Sequence, residues 1–158
     1  MNIIAFDPGQ KGGIAVIDSN GDPLYVGNMP ETAQDILLIV EKFKTLGDIK
    51  AYVEKVGGIP GQGASSAFNF GKGCGFIEMA LLALKIKTEY VTPQKWQKLY
   101  GVGKSSITKS TPKEKREHKN KLKAVAQRLF PQLGRKVTLL TCDALLIAEY
   151  GRKQEVKS

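Results

Sequence analysis

The apolar residues of this chain come in two patterns. Ile3-Ile4-Ala5-Phe6 and Ile14-Ala15-Val16-Ile17 are unbroken runs of strand length, bounded by polar residues and glycine, the mark of β-strands buried on both faces. The turn "SNGD" (19–22) follows, then "LYVGNM" (24–29), so residues 2–7, 13–18 and 24–29 read as an antiparallel meander. From Pro30-Glu31 to about Gly47 the spacing becomes helical, with Ile36, Leu37, Val40 and Phe43 on one face. "IKAYVEKV" (49–56) predicts a fourth strand and "GGIPGQG" (57–63) a loop. A helix over about 64–84, the strand "TEYVT" (88–92) and a short helix opened by Pro93 come next. Thr111-Pro112-Lys113-Glu114 combines an N-cap, a first-turn proline and a capping-box glutamate. Apolar residues at 122, 125, 126, 129 and 130 give the helix it opens a core-facing stripe. "PQLGRK" (131–136) breaks that helix, and a last one is predicted from about Thr138 to Tyr150, stopped by Gly151. The order β-β-β-α-β-α-β-α-α-α predicts one α/β domain over 1–158, a mixed sheet with helices on both faces.

At 158 residues the chain can bury a three-layer core. No apolar stretch approaches the ~18–20 residues that cross a bilayer, and the N-terminus enters a strand pattern without a basic flank. No membrane partner and no signal peptide are therefore expected, and the expected location is cytoplasmic. Cys74 and Cys142 lack metal-ligand spacing and are expected to be reduced thiols.

Charge changes the picture more. Between Lys95 and Arg128 lie 11 of the 24 basic residues and only two of the 15 acids, Glu114 and Glu117. The rest of the chain is balanced, so the whole net charge of +9 belongs to one segment. A Lys-rich run is often only a solvated helix face. Concentration of all the net charge in one place instead points to a polyanion, and so to nucleic acid.

Three acids stand out against apolar surroundings: Asp7 at the end of the first strand, Glu54 at the end of the fourth, and Asp143 in "LLTCDALLIAEYG". Singly, each has an ordinary explanation: an Asp-Pro-Gly turn, an edge-strand charge, a carboxylate at a helix start. A lone buried carboxylate neutralises or finds a partner, and three together would repel unless a divalent cation joined them. Carboxylate oxygens are the hard ligands Mg²⁺ and Mn²⁺ prefer. Gly9, Gly12 and Gly13 would let backbone approach a bulky ligand, with Lys11 as a phosphate contact. "GVGKSS" is not a nucleotide-binding P-loop, because the required earlier glycine is Lys98.

In order along the chain, "IIAFDPGQKGGIAVI", "AYVEKV", "SSAFNFGKGCGFIEMAL" and "CDALLIAEYG" resemble the motifs of RuvC-like Holliday junction resolvases of the RNase H-like superfold, most closely the bacteriophage-type members. The resemblance implies an RNase H-like fold with a five-stranded mixed sheet, its first three strands antiparallel. It implies a homodimer that cuts branched DNA with two Mg²⁺ or Mn²⁺ ions held by Asp7, Glu54 and Asp143. Lys119, or its neighbour Lys121, falls where the family has a lysine near the scissile phosphate. DNA contacts are expected from Lys11, Lys72, Lys95, Lys104, Lys109, Lys113, Lys115, Arg116 and Lys121, with Phe68 and Phe70 reaching into the junction. The helix over 64–84 is either the dimer face or a buried central helix. One departure matters: the bacterial resolvases place a fourth acid where this chain has Leu140. Two alternatives stay open, an RNase H-like nuclease acting on RNA or RNA–DNA hybrids and a junction-binding protein that does not cut.

Overall fold

The two unbroken apolar runs become β1 (Asn2–Asp7) and β2 (Gly13–Ile17), buried along almost their whole length. Strands of this composition need cover on both faces, and the fold supplies it. In this computed structural model, which describes residues 1–58, 61–103 and 111–157, β3 (Pro23–Asn28) completes the antiparallel meander. β4 (Ile49–Glu54) and β5 (Lys87–Val91) then add in parallel on the other side of β1, giving the order β3-β2-β1-β4-β5. The predicted five-stranded mixed sheet is therefore present, with its first three strands antiparallel. β4 lies inside the sheet, so Glu54 is not an edge-strand charge.

One face is covered by α1 (Ala33–Thr45) and α2 (Ala64–Ala83), whose Ile36, Val40, Phe43, Ile77 and Leu81 pack on Ile4, Phe6, Ile14 and Val16. The other is covered by α3 (Pro93–Lys98), α4 (Pro112–Leu129) and α5 (Cys142–Lys157), which meet Ile3, Ala5, Ala15 and Tyr52. α4 opens with the predicted capping box: the Thr111 hydroxyl accepts from the Glu114 N–H and the Glu114 carboxylate accepts from the Thr111 N–H. α1 starts later than Pro30-Glu31, because the Thr32 hydroxyl accepts from the Asp35 N–H and makes Thr32 the cap. Among the described residues no helix is long and apolar enough to cross a membrane.

The last helix departs most from expectation. It begins at Cys142 rather than Thr138, because residues 138–141 form a turn closed by side chains: Thr141 Oγ1 accepts from the Thr138 N–H at 2.9 Å and donates to the Lys136 carbonyl at 2.7 Å. It continues through Gly151 to Lys157. Gly151 is a contact rather than a stop. A Cβ there would lie 2.5 Å from the Tyr52 ring, so glycine allows α5 to lie tightly on β4.

The same face of β4 carries Lys50 and Tyr52 toward the far end of α5. Lys50, only 4% exposed, donates to Glu89 of β5 and Glu155 of α5, both at 2.5 Å. The Tyr52 hydroxyl donates to Glu155 at 2.6 Å. The sequence reading did not single out this cluster.

Candidate active site

β1 and β4 run parallel in a register that pairs Phe6 with Val53. One residue further on, both strands end, in Asp7 and Glu54. Alternation along each strand turns these two side chains to the face covered by α3, α4 and α5. The chain leaves β1 through a turn in which the Gly12 N–H donates to the Gly9 carbonyl at 3.0 Å. A Cβ on Gly12 would fall 1.9 Å from the Asp7 carbonyl oxygen, and one on Gly13 would fall 2.7 Å from that of Leu140. Gly9, at positive φ, faces the Phe70 ring, whereas Gly12 and Gly13 admit the protein's own backbone. They let the loop fold back tightly beneath Asp7 and bring the turn before α5 alongside.

That turn delivers Asp143 in the first turn of α5, where helix geometry favours a carboxylate. Lys119 reaches in from α4. Its ammonium donates to Asp143 Oδ2 and lies 3.9 Å from Asp7 Oδ2. The structure thus brings Asp7, Glu54, Asp143 and Lys119 together from four elements. Two further groups complete the setting, and neither was expected from sequence. The indole Nε1–H of Trp96 donates to Glu54 Oε2 at 2.8 Å. The Cys142 thiol donates to Asp143 Oδ1 at 3.3 Å. Trp96 and Glu54 are 42 residues apart, and no local spacing signals their meeting.

Among the described residues the site is short of positive charge. Burial raises the Asp7 carboxyl well above its usual range, and repulsion from Asp143 and Glu54 adds to this, with Lys119 giving partial relief. Burial likewise pushes Glu54 up to about 7; the Trp96 hydrogen bond opposes the rise, while Asp143 reinforces it. Burial works against the charge of Lys119, yet Asp143 and Asp7 outweigh it and hold the ammonium above its ordinary value. The Cys142 thiol is raised to about 12, chiefly by burial and then by Asp143, so it stays protonated and able to donate.

An oxygen-only donor set with too little positive charge is the chemistry that suits a hard divalent cation. Among the described residues, however, no three acidic, histidine or cysteine side chains already stand as a formed cage. A cleft of about 320 Å³ opens on the α2 side of the sheet, lined by Val53, Glu54, Cys74, Ile77, Glu78 and Tyr90; Asp7, Asp143 and Lys119 are not among its walls.

No family model matches the sequence, and no curated protein does. Shape finds what sequence does not. A Thermus thermophilus RuvC structure in complex with a Holliday junction substrate superposes with a TM-score of 0.67 at 14% identity, covering 99% of this chain and 96% of that one. A second Thermus thermophilus RuvC structure gives 0.64 at 15% identity, covering 99% and 97%. The chain has the RuvC fold. The expected RNase H-like architecture is therefore correct.

On this RuvC fold the other expected contact residues are dispersed. Lys11 is exposed in the loop after Asp7. Phe68, at the start of α2, is 71% exposed. Phe70 is half-buried with its ring against Gly9, and Lys72 is exposed above the Phe76 ring. Lys95 is exposed on α3, and Lys113, Lys115, Arg116 and Lys121 are exposed on α4. Lys121, the alternative to Lys119, does not join the carboxylates. Lys104 and Lys109 lie outside the described residues. On α2, Ile77, Ala80 and Leu81 are buried while Met79 and Leu82 are exposed, so the helix serves the core on one side and has an apolar outer face on the other.

Proposed function

We propose that this chain is a structure-selective, metal-dependent endonuclease that cuts four-way DNA junctions by phosphodiester hydrolysis. The observation that carries the reading is the trio Asp7, Glu54 and Asp143, set at one end of a RuvC-fold sheet with Lys119 between Asp7 and Asp143. The three carboxylates would hold Mg²⁺ or Mn²⁺, two ions per site. When bound, such ions supply Lewis acidity for water attack at phosphorus and for departure of the 3′ oxygen. Lys119, released from its carboxylates, would offset charge on the scissile phosphate. The lysines of α3 and α4 would hold neighbouring phosphates, so binding would weaken steeply with salt. Branched DNA would be selected by its shape. A second copy would pair through the apolar outer face of α2, placing two sites on two strands.

A non-cleaving junction binder is the second reading. Leu140, where bacterial relatives have a fourth acid, and the incomplete gathering of the carboxylates favour it. The deciding experiment incubates the protein with a synthetic four-way junction, a linear duplex and an RNA–DNA hybrid, in Mg²⁺, Mn²⁺ or EDTA. Paired nicks in the junction are expected, lost in EDTA and reduced at least ~10³-fold in Asp7→Asn while junction binding is retained. Cutting of the hybrid alone would move the activity to RNA. Binding without nicks in any metal would establish the second reading.

A further inference from the structure

We infer that Trp96 is a positioning residue for Glu54 and sets the site's affinity for its metal; the inference rests on the nuclease reading. Trp96 is the chain's only tryptophan and is fully buried. An indole has one polar atom, a donor, and here that donor is spent on a Glu54 carboxylate oxygen at 2.8 Å. A buried tryptophan that served packing alone could have met any backbone carbonyl; this one meets the acid.

The ring is itself held. It stands edge-on to Tyr100, with centroids 6.4 Å apart, and the Tyr100 hydroxyl donates to the Leu146 carbonyl on α5 at 2.5 Å. Leu146 lies one turn beyond Asp143 on the same helix. The next residue of α3, Gln97, hydrogen-bonds His118, the neighbour of Lys119, at 3.1 Å. The short helix and the turn after it therefore tie together the strand that ends in Glu54, the helix that carries Asp143 in its first turn and the helix that carries Lys119. Glu54 has one more side-chain torsion than an aspartate and, of the three acids, is the one with which Lys119 makes no ion pair. A fixed N–H on one of its oxygens selects one rotamer and aims the carboxylate before a cation arrives. Outer partners of metal-binding groups commonly change metal affinity by about 10–100-fold.

Trp96→Phe removes the N–H and keeps an aromatic ring. Benzothienylalanine at position 96, which replaces the N–H by sulfur in the same bicyclic shape, guards against a folding defect in the phenylalanine variant. Mg²⁺ affinity is measured by calorimetry without DNA, and junction cleavage is followed across a Mg²⁺ series. Both substitutions should weaken Mg²⁺ binding and raise the half-maximal Mg²⁺ for cleavage by about tenfold or more. Junction affinity in EDTA should be unchanged. In the wild type, Mg²⁺ should shift Trp96 emission, and Glu54→Gln should abolish the shift. If the wild type cuts and the benzothienylalanine protein has the same Mg²⁺ affinity and requirement, the positioning role is overturned while the nuclease reading stands. A wild type that neither cuts nor changes its emission in Mg²⁺ overturns both.

Discussion

β4 and α5 share two buried charged clusters, one at each end of the sheet, and they are built on opposite principles. At the far end, buried Lys50 sits between Glu89 and Glu155, with Tyr52 donating to the latter. The Lys50 and Tyr52 hydrogen bonds hold Glu155 below its ordinary range, so folding favours its charged form. At the near end the ratio is inverted: three carboxylates share Lys119, and Asp7 and Glu54 are pushed upward. Folding there assembles charges that would be more stable apart. A cluster that satisfies itself strengthens a fold, whereas one left short of a cation is prepared for a ligand.

The comparison breaks most visibly at the far end. Lys50→Met would leave Glu89 and Glu155, both partly exposed, without their ammonium and should cost about 1.5–3 kcal/mol, the worth of the charge-assisted hydrogen bonds lost. Denaturant unfolding in EDTA measures this, and Mg²⁺ affinity of the folded variant should be unaltered. A variant as stable as the wild type would show that the far cluster is only decoration.

The near end should respond with the opposite sign. Glu54→Gln should stabilise the metal-free protein above neutral pH by about 1–3 kcal/mol. Folding raises this carboxyl from 4.5 to about 7, so the native state holds its proton more tightly than the unfolded chain. The wild type therefore loses stability as pH rises from about 4.5 through about 7, and the glutamine variant lacks that loss. The two proteins should converge below pH 4.5. A destabilised glutamine variant at pH 8 would mean that Glu54 is already compensated.

The smallest effect is the most direct. Mg²⁺ at about ten times its dissociation constant should add about 1.4 kcal/mol to wild-type stability by mass action. That increment should vanish in Asp7→Asn and persist in Lys50→Met.

Much of this was legible in the sequence, for local reasons. The meander follows from two unbroken apolar runs and a polar turn, and the start of α4 is written in four consecutive residues. The carboxylates announced themselves as charges among apolar neighbours. What could not be read depends on distant pieces meeting. Trp96 and Glu54 touch across 42 residues, and Lys50 meets Glu155 across 105. Gly151 carries a local stop signal, yet the Tyr52 ring beneath α5 gives that glycine a different reason to exist. The resemblance alone left Lys119 and Lys121 as alternatives, and the structure sets Lys119 against Asp143.

The pairing of β1 with β4 has one more consequence. Since Phe6 stands beside Val53, the next step sets Asp7 and Glu54 on neighbouring strands about 4.8 Å apart at the backbone. That interval is the repeat of the peptide hydrogen-bond lattice, the same for every sequence that takes up this pairing. Side chains around it can be exchanged almost without limit while the gauge between the two acids stays constant. A ruler made of main chain does not wear as letters change, which is how a site can remain in proportion after its text has become unrecognisable.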